Sequence, residues 1–526
     1  MDSASEPSMR VSGPAAVVLA ALVGASLLGA AFAGDGSDVG GILPVGGAAV
    51  VLLAAALVGV AFGWLPVLRV GRFGAAFVCA LVLLVAWMGV TVWWSIVADR
   101  SWDTFNKGAA YVAFLGLGIV LAAAGAGRAA RLAGYVLALV IGVTLVWALA
   151  TKAIPALVED ERIGRLNEPV DHWNALALLA DVGIVLGLWL GTAALPRAVR
   201  TAGALLVYVA TLALALTLSR AGIVVGIGVL VLWLLLTSER VQSGLLLVAA
   251  AGPAALIAGW AFTRPALTDD LQPYADRVSD GRILGGAAVV GALVVVVLVG
   301  LGLRRSLTDE VRRRLGRVFV VTAAALVVAG VAAASVAGAD SISSDRNCSE
   351  VVNDPSRLGS LDVGNRLCWW GEAWDVFAHR SPQGGWSKAG DLVGGAGAGT
   401  FEIARKRFRP NAETVLQPHS VPLQQLADGG VVGFGLFIVL VLAGVGVWVC
   451  ALRRLSGPER AAAAALVAAP AAYLAHALVD YNWDFLAVTA PTMVALGVLA
   501  GAGRESRIGP RRPLLGVGVV LLALVV

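Results

Sequence analysis

Apolar residues fill this chain in long runs, separated by short segments that carry Arg, Asp and Gly. A membrane-spanning helix needs about 20 mostly apolar residues, so each run predicts one span. The pair of runs around Ser219 and Arg220 could be one broken element, and the last run is short, so the pattern predicts about 14–15 transmembrane helices. The runs cover 14–33, 44–66, 74–98, 108–126, 132–153, 174–192, 200–218, 221–237, 243–263, 283–303, 317–338, 430–452, 461–479, 485–503 and 513–526.

Composition agrees with this pattern and sets the class of protein. Apolar residues make up 59% of the chain, charged residues make up 14%, and the mean hydropathy is +0.85. These values exclude an ordinary soluble globular protein. The first run also resembles a secretory signal ending in "AFAG" at 31–34, but it is longer than such signals usually are, so we interpret it as a span. The predicted fold class is an all-α polytopic membrane protein.

Basic residues concentrate in every second loop, which predicts the orientation of the spans. Arg69, Arg128 and Arg197 lie in such loops, as do the clusters at 304–317 and 453–460. Lys and Arg are enriched on the cytoplasmic side, so the N-terminus is predicted to be cytoplasmic. The net charge of +5 is then explained by topology and requires no nucleic-acid partner.

This orientation divides the chain into three predicted parts. Residues 1–338 form an N-terminal transmembrane bundle of about 11 spans. Residues 339–429 form an extracytoplasmic loop, far longer than the cytoplasmic ones, and residues 430–526 form C-terminal transmembrane helices. Long segments between short-looped spans usually carry function, so the candidate site is expected in the long loop.

The long loop contains its own helix pattern. In "GNRLCWWGEAWDVFAH", Arg366, Trp370, Ala373 and Phe377 recur at helical spacing, which predicts an amphipathic helix lying at the outer membrane surface. Cys348 and Cys368 share this loop, and an oxidising exterior permits a disulfide between them. Two free thiols are equally compatible with the sequence.

Polar residues of three kinds follow this helix. "GGAGAGTFE" at 394–402 is a glycine turn whose backbone N–H groups could approach an anion. A basic run with Arg405, Arg407 and Arg409 comes next, and His419 then stands just before a hydrophobic helix. The alternatives are a flexible turn, a solvated charge run and a histidine hydrogen-bonded to the backbone.

The order of five segments carries a specific resemblance. They are "TLSRAG" at 217–222, the helix at 366–373, "GAGTF" at 397–401, "HSVPLQQLADGGVVGFGLF" at 419–437 and "LVDYNWDF" at 478–485. In this order they resemble the O-antigen ligase and O-antigen polymerase superfamily over roughly residues 160–500. Asp428 stands where family members commonly have Glu. "NEPVDHWNALALL" at 167–179 is similar to a further family motif through Asn174, but departs from it at Asp171 and His172.

The resemblance implies a membrane glycosyltransferase of the GT-C type, which builds cell-envelope polysaccharide at the bacterial cytoplasmic membrane. Its donor would be a glycan linked to a polyprenyl carrier such as undecaprenyl pyrophosphate, and its active site would face outward. It implies arginines in place of a divalent metal ion, and the sequence predicts no cofactor. Partners would be the lipid bilayer and a glycan, lipid or protein acceptor.

Site residues follow from the same chemistry. His419 is predicted to act as general base on an acceptor hydroxyl or to orient that acceptor. Arg220 and Arg366 are predicted to bind the donor pyrophosphate, since guanidinium is permanently charged and bidentate; headgroup contact for Arg220 and a surface charge for Arg366 are the alternatives. Possible phosphate or sugar contacts are Arg405, Arg407, Arg409, Ser420, Gln424 and Asp428, with Trp370, Asp480 and Asn174 in support.

The predicted function is therefore transfer of a glycan from its lipid carrier to an acceptor, with inversion if the displacement is direct. A polymerase of the same superfamily differs only in its acceptor. A flippase or exporter of lipid-linked glycans belongs to another class, and such proteins tend to place ionisable residues in mid-membrane, as Asp181 is here.

Overall fold

The structure is a computed structural model. It describes residues 13–33, 39–158, 163–192, 194–302, 310, 314–318, 321, 325, 365–378, 389–410, 412–502 and 506–507. The predicted span at 513–526 and Cys348 lie outside the described residues, as does most of the predicted span at 317–338.

Helices make up nearly all of the described structure. They are α1 (Gly13–Phe32), α2 (Val39–Ala61), α3 (Arg72–Thr91), α4 (Ala98–Ala124), α5 (Ala129–Ala153), α6 (Trp173–Thr192), α7 (Arg197–Leu216), α8 (Arg220–Leu236), α9 (Arg240–Ala261), α10 (Pro265–Thr268), α11 (Tyr274–Gly302), α12 (Arg366–Ala378), α13 (Ala389–Gly394), α14 (Phe401–Ala404), α15 (Val421–Arg454), α16 (Gly457–Leu466), α17 (Ala468–Ala477) and α18 (Leu486–Ala502). Single 3₁₀ turns cover Pro155–Leu157, Arg405–Arg407 and Asn482–Asp484. Two short strands, β1 (Arg69–Val70) and β2 (Ser506–Arg507), pair antiparallel.

Among the described residues, 10 helices are long and apolar enough to cross a membrane. The predicted fold class, an all-α polytopic membrane protein, is confirmed. α8 and α18 are shorter, with 17 residues each. The predicted span at 461–479 is two consecutive helices, α16 and α17, which meet at Val467.

Small residues bring the C-terminal helices into contact with the N-terminal ones. Gly118 of α4 and Gly497 of α18 face each other so closely that neither position has room for a Cβ atom. α15 packs in the same way against α3, where Gly444 meets Phe77. Glycine permits this approach between membrane helices, whose association depends on van der Waals contact.

Connections between distant helices meet at one end of the bundle. We call this end, which contains the α3–α4 connection, the segment before α6 and the end of α7, the site end. The backbone of Ile96, between α3 and α4, donates to Ala396 O at 3.2 Å. Leu166 N, before α6, donates to Leu216 O at the end of α7 at 3.0 Å. These bonds join segments far apart in the chain, so the helix ends form one surface.

α15 begins at Val421, ahead of the span predicted at 430–452. Gly430 breaks its helical geometry, with φ 63° and ψ −162°. Residues 421–429, which we call the lead segment, are thus a separate helical piece at the site end. Trp87 of α3 holds the break, because its Nε1 donates to Gly429 O at 2.9 Å.

Candidate active site

His419 lies two residues before the lead segment and is held from several directions. Its backbone has a positive φ of 50°. Trp370 Nε1 donates to its carbonyl oxygen at 3.2 Å. Its ring stacks on Trp369, with ring centroids 4.6 Å apart, and meets Tyr481 edge-on, also at 4.6 Å. The imidazole of His419 is therefore fixed in orientation.

Asp480 is the hydrogen-bond partner of this imidazole. His419 Nδ1 lies 3.0 Å from Asp480 Oδ1, and the carboxylate is almost fully buried between α17 and α18. Burial alone would raise the pKa of Asp480, but the hydrogen bond and the electrostatic effect of His419 hold it well below its usual value. An ionised Asp480 only accepts hydrogen bonds, so Nδ1 of His419 carries a proton in this contact.

The predicted amphipathic helix, α12, positions both members of this pair. Arg366 Nε donates to Val479 O at 2.8 Å, next to Asp480, while Trp370 holds the carbonyl of His419. Arg366, Trp369 and Trp370 share one face of α12, because residues three and four apart are neighbours on a helix. This bond uses one of the five guanidinium N–H donors of Arg366.

Two further acceptors anchor the connection that carries Asp480. Asn482 Oδ1 lies 3.0 Å from His476 Nδ1, and its Nδ2 donates to Tyr473 O at 3.2 Å. Asp484 accepts from Lys107 Nζ at 3.1 Å and from Gln424 Nε2 at 3.0 Å. Sequence reasoning missed Lys107, although a lone lysine beside an apolar run is a signal for a buried ion pair.

Arg220 begins α8 after a tight turn at the site end. Leu218 in this turn has φ 51°, and Ser219 caps α8 by accepting from Gly222 N at 3.1 Å. The Ser219 hydroxyl also donates to Asn174 Oδ1 at 2.7 Å, which joins the two family-like motifs that contain them. Asn174 therefore supports the turn that presents Arg220.

Arg165 holds the same turn from behind and was missed in the sequence. Its side chain is buried, Nε donates to Thr217 O at 2.9 Å, and Nη2 donates to Leu218 O at 3.3 Å. Its guanidinium also lies 4.2 Å from the ring centroid of Trp173. Nothing in the local pattern distinguishes this arginine from a loop charge, because its partners are carbonyls from another segment.

His172 connects the Arg220 side of the site to the His419 side. Its ring stacks on Trp173 and contacts Tyr481 and Phe485, with centroids 5.0 and 4.6 Å away. Burial lowers the pKa of His172 to about 3, so its imidazole is neutral. Its Nδ1 accepts from Ala175 N at 3.2 Å. Arg366 and His419 thus lie in one cluster. Ser219, the residue before Arg220, bonds to Asn174, which is two residues along the chain from His172. The convergence of the Arg220 side chain on this cluster stays a prediction.

The backbone N–H groups of the glycine turn bind Asp428 of the same chain. Gly399 N donates to Asp428 Oδ2 at 3.0 Å, and Gly397 N donates to Asp428 O at 3.0 Å. Asp428 is buried beneath these amides. In this structure the backbone N–H groups of the turn therefore meet Asp428 of the same chain, and the predicted substrate contact of Asp428 stays a prediction.

The remaining predicted contacts occupy different environments. Arg405 is buried and forms a two-point ion pair with Glu372, with Nη2 3.0 Å from Oε1. This pair and a bond to Glu413 O at 2.8 Å engage all three guanidinium nitrogens, and the predicted substrate contact of Arg405 stays a prediction. Arg407 is exposed, and Arg409 is half-buried and donates to Ala412 O. Ser420 and Gln424 are buried beside His419 and Asp484 respectively.

The cysteines lie in two settings. Cys368 of α12 takes part in a disulfide bond, whereas Cys79 and Cys450 are free. The predicted partner, Cys348, lies outside the described residues, so this pairing stays a prediction.

Comparison with known families supports the same region. A family model described as O-Antigen ligase matches residues 281–438, which contain α12, the glycine turn, His419 and the lead segment. A comparison with curated proteins finds no match. Arg220, His172 and Asp480 lie beyond the matched residues, and His172 and Asp480 are joined to them by the contacts above. The resemblance indicated by the order of the motifs is thus confirmed over this part of the chain, because residues 281–438 are similar to the O-Antigen ligase family.

Proposed function

We propose that this protein is an O-antigen ligase-like glycosyltransferase that moves a glycan from a polyprenyl-pyrophosphate carrier to an acceptor on the outer face of the cytoplasmic membrane. The observation that carries the proposal is the contact of 3.0 Å between His419 Nδ1 and Asp480 Oδ1, within reach of an arginine-bearing helix. A fixed imidazole paired with a buried carboxylate is suited to general base catalysis.

Formation of the new glycosidic bond uses His419 and Asp480 directly. The acceptor hydroxyl lies at Nε2 of His419, which takes its proton as the oxygen attacks the anomeric carbon of the donor sugar. Asp480 accepts the Nδ1 proton in a hydrogen bond and stabilises the imidazolium that forms. A single displacement of this kind inverts the configuration at the anomeric carbon.

Cleavage of the bond to the carrier places negative charge on the leaving group. The bond between the anomeric carbon and the pyrophosphate oxygen breaks, and both electrons stay with the polyprenyl pyrophosphate. Arg220 and the remaining donors of Arg366 bind that pyrophosphate, since guanidinium binds phosphate oxygens through two parallel hydrogen bonds. No cofactor enters this scheme.

Exposed tryptophans support a site at the membrane surface. Trp93 and Trp94 follow α3, Trp102 lies in the first turns of α4, and Trp374 lies on α12, all at the site end. Trp93 is 86% exposed and Trp102 is 54% exposed. Tryptophan concentrates at headgroup depth, which is where a carrier with its tail in the bilayer presents its pyrophosphate.

The proposal is tested by transfer from a lipid-pyrophosphate-linked glycan with purified protein in lipid nanodiscs. We expect His419→Ala to lower kcat at least about 100-fold, the usual contribution of a general base. A wild-type rate in this variant would remove the base assignment.

The same transfer assay with the unmutated protein distinguishes between the candidate functions. Product on a second carrier-linked glycan would identify a polymerase, which uses the same chemistry with another acceptor. Movement of carrier lipid between leaflets without any transfer would identify an exporter and overturn the proposal.

A further inference from the structure

We propose that Trp369 is a positioning residue whose indole face stabilises the imidazolium form of His419 as that form develops during transfer. This inference rests on the proposed function, because it assigns a role to Trp369 only if His419 takes up a proton. Trp369 lies within the resembling helix and the matched residues, but neither the motif order nor the family match gives it a role.

The two rings have the geometry that such stabilisation requires. Their centroids are 4.6 Å apart and their planes differ by 27°, so the imidazole lies over the indole face. The face of an aromatic ring carries partial negative charge and attracts a cation within about 6 Å, most strongly for tryptophan. The attraction grows as His419 becomes charged, so it favours the transition state over the ground state.

Trp369 is held so that this face cannot turn away. Its Nε1 donates to Glu413 Oε2 at 3.3 Å, and Asn365 Nδ2 lies 3.3 Å from the other oxygen of the same carboxylate. Its ring also packs against the small apolar cluster that contains Ala373 and Phe401. The indole is therefore preorganised and does not reorient when charge appears on His419.

Asp480 and Trp369 act on His419 from perpendicular directions. Asp480 accepts from Nδ1 within the plane of the imidazole, while Trp369 covers one face of the ring. Exchange of Trp369 for a neutral side chain leaves every charge around the imidazole in place. The titratable and charged groups that surround it are Asp480, Tyr481, Arg366, His172 and His476.

The experiment compares two substitutions in the purified protein. We expect Trp369→Leu to lower kcat about tenfold with little change in KM for the donor, and Trp369→Phe, which keeps an aromatic face, to stay within about threefold of the unmutated enzyme. The acidic limb of the pH–rate profile should move to lower pH in Trp369→Leu and stay in place in Trp369→Phe. A purely structural role would lower activity without moving this limb.

Trp64→Leu is the control. Trp64 follows α2, is 72% exposed and stacks on Phe62 with ring centroids 5.3 Å apart, so this variant should keep the unmutated kcat and profile. Unchanged kcat in Trp369→Leu would overturn the proposal, and so would an equal loss in Trp369→Leu and Trp369→Phe.

Fluorinated tryptophan at position 369 keeps the test decisive if Trp369→Leu does not fold. Added fluorine weakens the negative face while the ring keeps its shape, so kcat should fall with each added fluorine. A kcat independent of fluorine number would overturn the inference. If His419→Ala were fully active, by contrast, the base assignment itself would fail, whatever the Trp369 variants do.

Discussion

His419 adopts a backbone conformation, with a φ of 50°, that residues other than glycine rarely adopt. A hydrogen bond from Trp370 to its carbonyl helps to hold it there. Such strain persists where surrounding contacts fix it, and it is concentrated at functional sites. The sequence identified this histidine, but its partner in the plane of the ring, its stacking partner and its backbone conformation depend on contacts with residues far away in the chain.

Asp480→Asn tests the partner of the base. The amide keeps the shape of the side chain but loses its charge, so it no longer stabilises an imidazolium or fixes the Nδ1–H tautomer. We expect kcat to fall at least about 100-fold with a smaller change in KM. Asp276→Asn, on the exposed first turn of α11, is the control. A rate equal to that of the unmutated enzyme would show that the contact between His419 and Asp480 is not used.

Arg220→Ala tests the proposed pyrophosphate contact. Loss of one preorganised cation at a developing charge should lower kcat/KM for the lipid-linked donor about 100-fold. Arg264→Ala removes another arginine between two helices, one that is exposed and lies over Trp260, and should leave kcat/KM unchanged. Equal effects of both substitutions would mean that general surface charge is responsible.

His172 gives the fold a dependence on pH. Its pKa is about 3 in the folded protein and about 6.5 in an unfolded chain, so between these values the unfolded state binds more protons. Stability therefore falls as pH falls through this window, by roughly 2 kcal/mol between pH 7 and pH 5. His172→Asn keeps an acceptor for Ala175 N but cannot gain a proton, so its thermal midpoint should change less with pH. An identical slope in both proteins would contradict this assignment.

Among the elements, the break at Gly430 connects the lead segment to the membrane-spanning part of α15. At its φ of 63°, a residue with a Cβ atom is strained, and the Cβ would also meet the carbonyl of Val393. We expect Gly430→Ala to destabilise the protein by about 2 kcal/mol or more, measured as a lower thermal midpoint. Gly429→Ala is the matched control, because a Cβ there would come no closer than 3.7 Å to a neighbouring atom. Equal midpoints in the two variants would show that the break is not needed.

Sequence patterns predicted which helices form more accurately than they predicted where those helices begin and end. α12 was predicted from its periodicity, and its Arg366 and Trp370 do share a face, because helical spacing is a local property. The start of α15 was placed too late, since the polar lead segment does not look like a span. Its helical form depends on contacts with the glycine turn and with Trp87, which no local pattern reveals.

At the scale of the whole molecule, the distribution of Lys and Arg predicts which end faces the cell exterior. With Cys79 and Cys450 replaced by Ala, a cysteine at Leu271, which is 74% exposed at the site end, should react with an impermeant maleimide on intact cells. A cysteine at Ala126, in the exposed turn between α4 and α5, should react only after the membrane is opened. The reverse pattern would contradict the orientation and the placement of the site.

The parts of the site that the sequence could not supply are those formed between distant segments. Lys107 and Arg165 escaped notice because their partners, Asp484 and the carbonyls after α7, come from other parts of the chain. Arg405 is a possible substrate contact by sequence because an arginine run resembles a phosphate site, and its buried partner Glu372 is visible only in the fold. The chemistry of single residues could be predicted from the local sequence, whereas their interaction partners could be identified only from the fold.

One helix, α12, contacts both His419 and the backbone beside Asp480. The free energy that docks this helix is therefore also free energy that brings His419, the proposed base, together with Asp480. A substitution that weakens docking would reduce the fraction of molecules able to react, while each docked molecule would turn over at its full rate. Active-site titration of such a variant would then show fewer competent enzymes, each with unchanged speed.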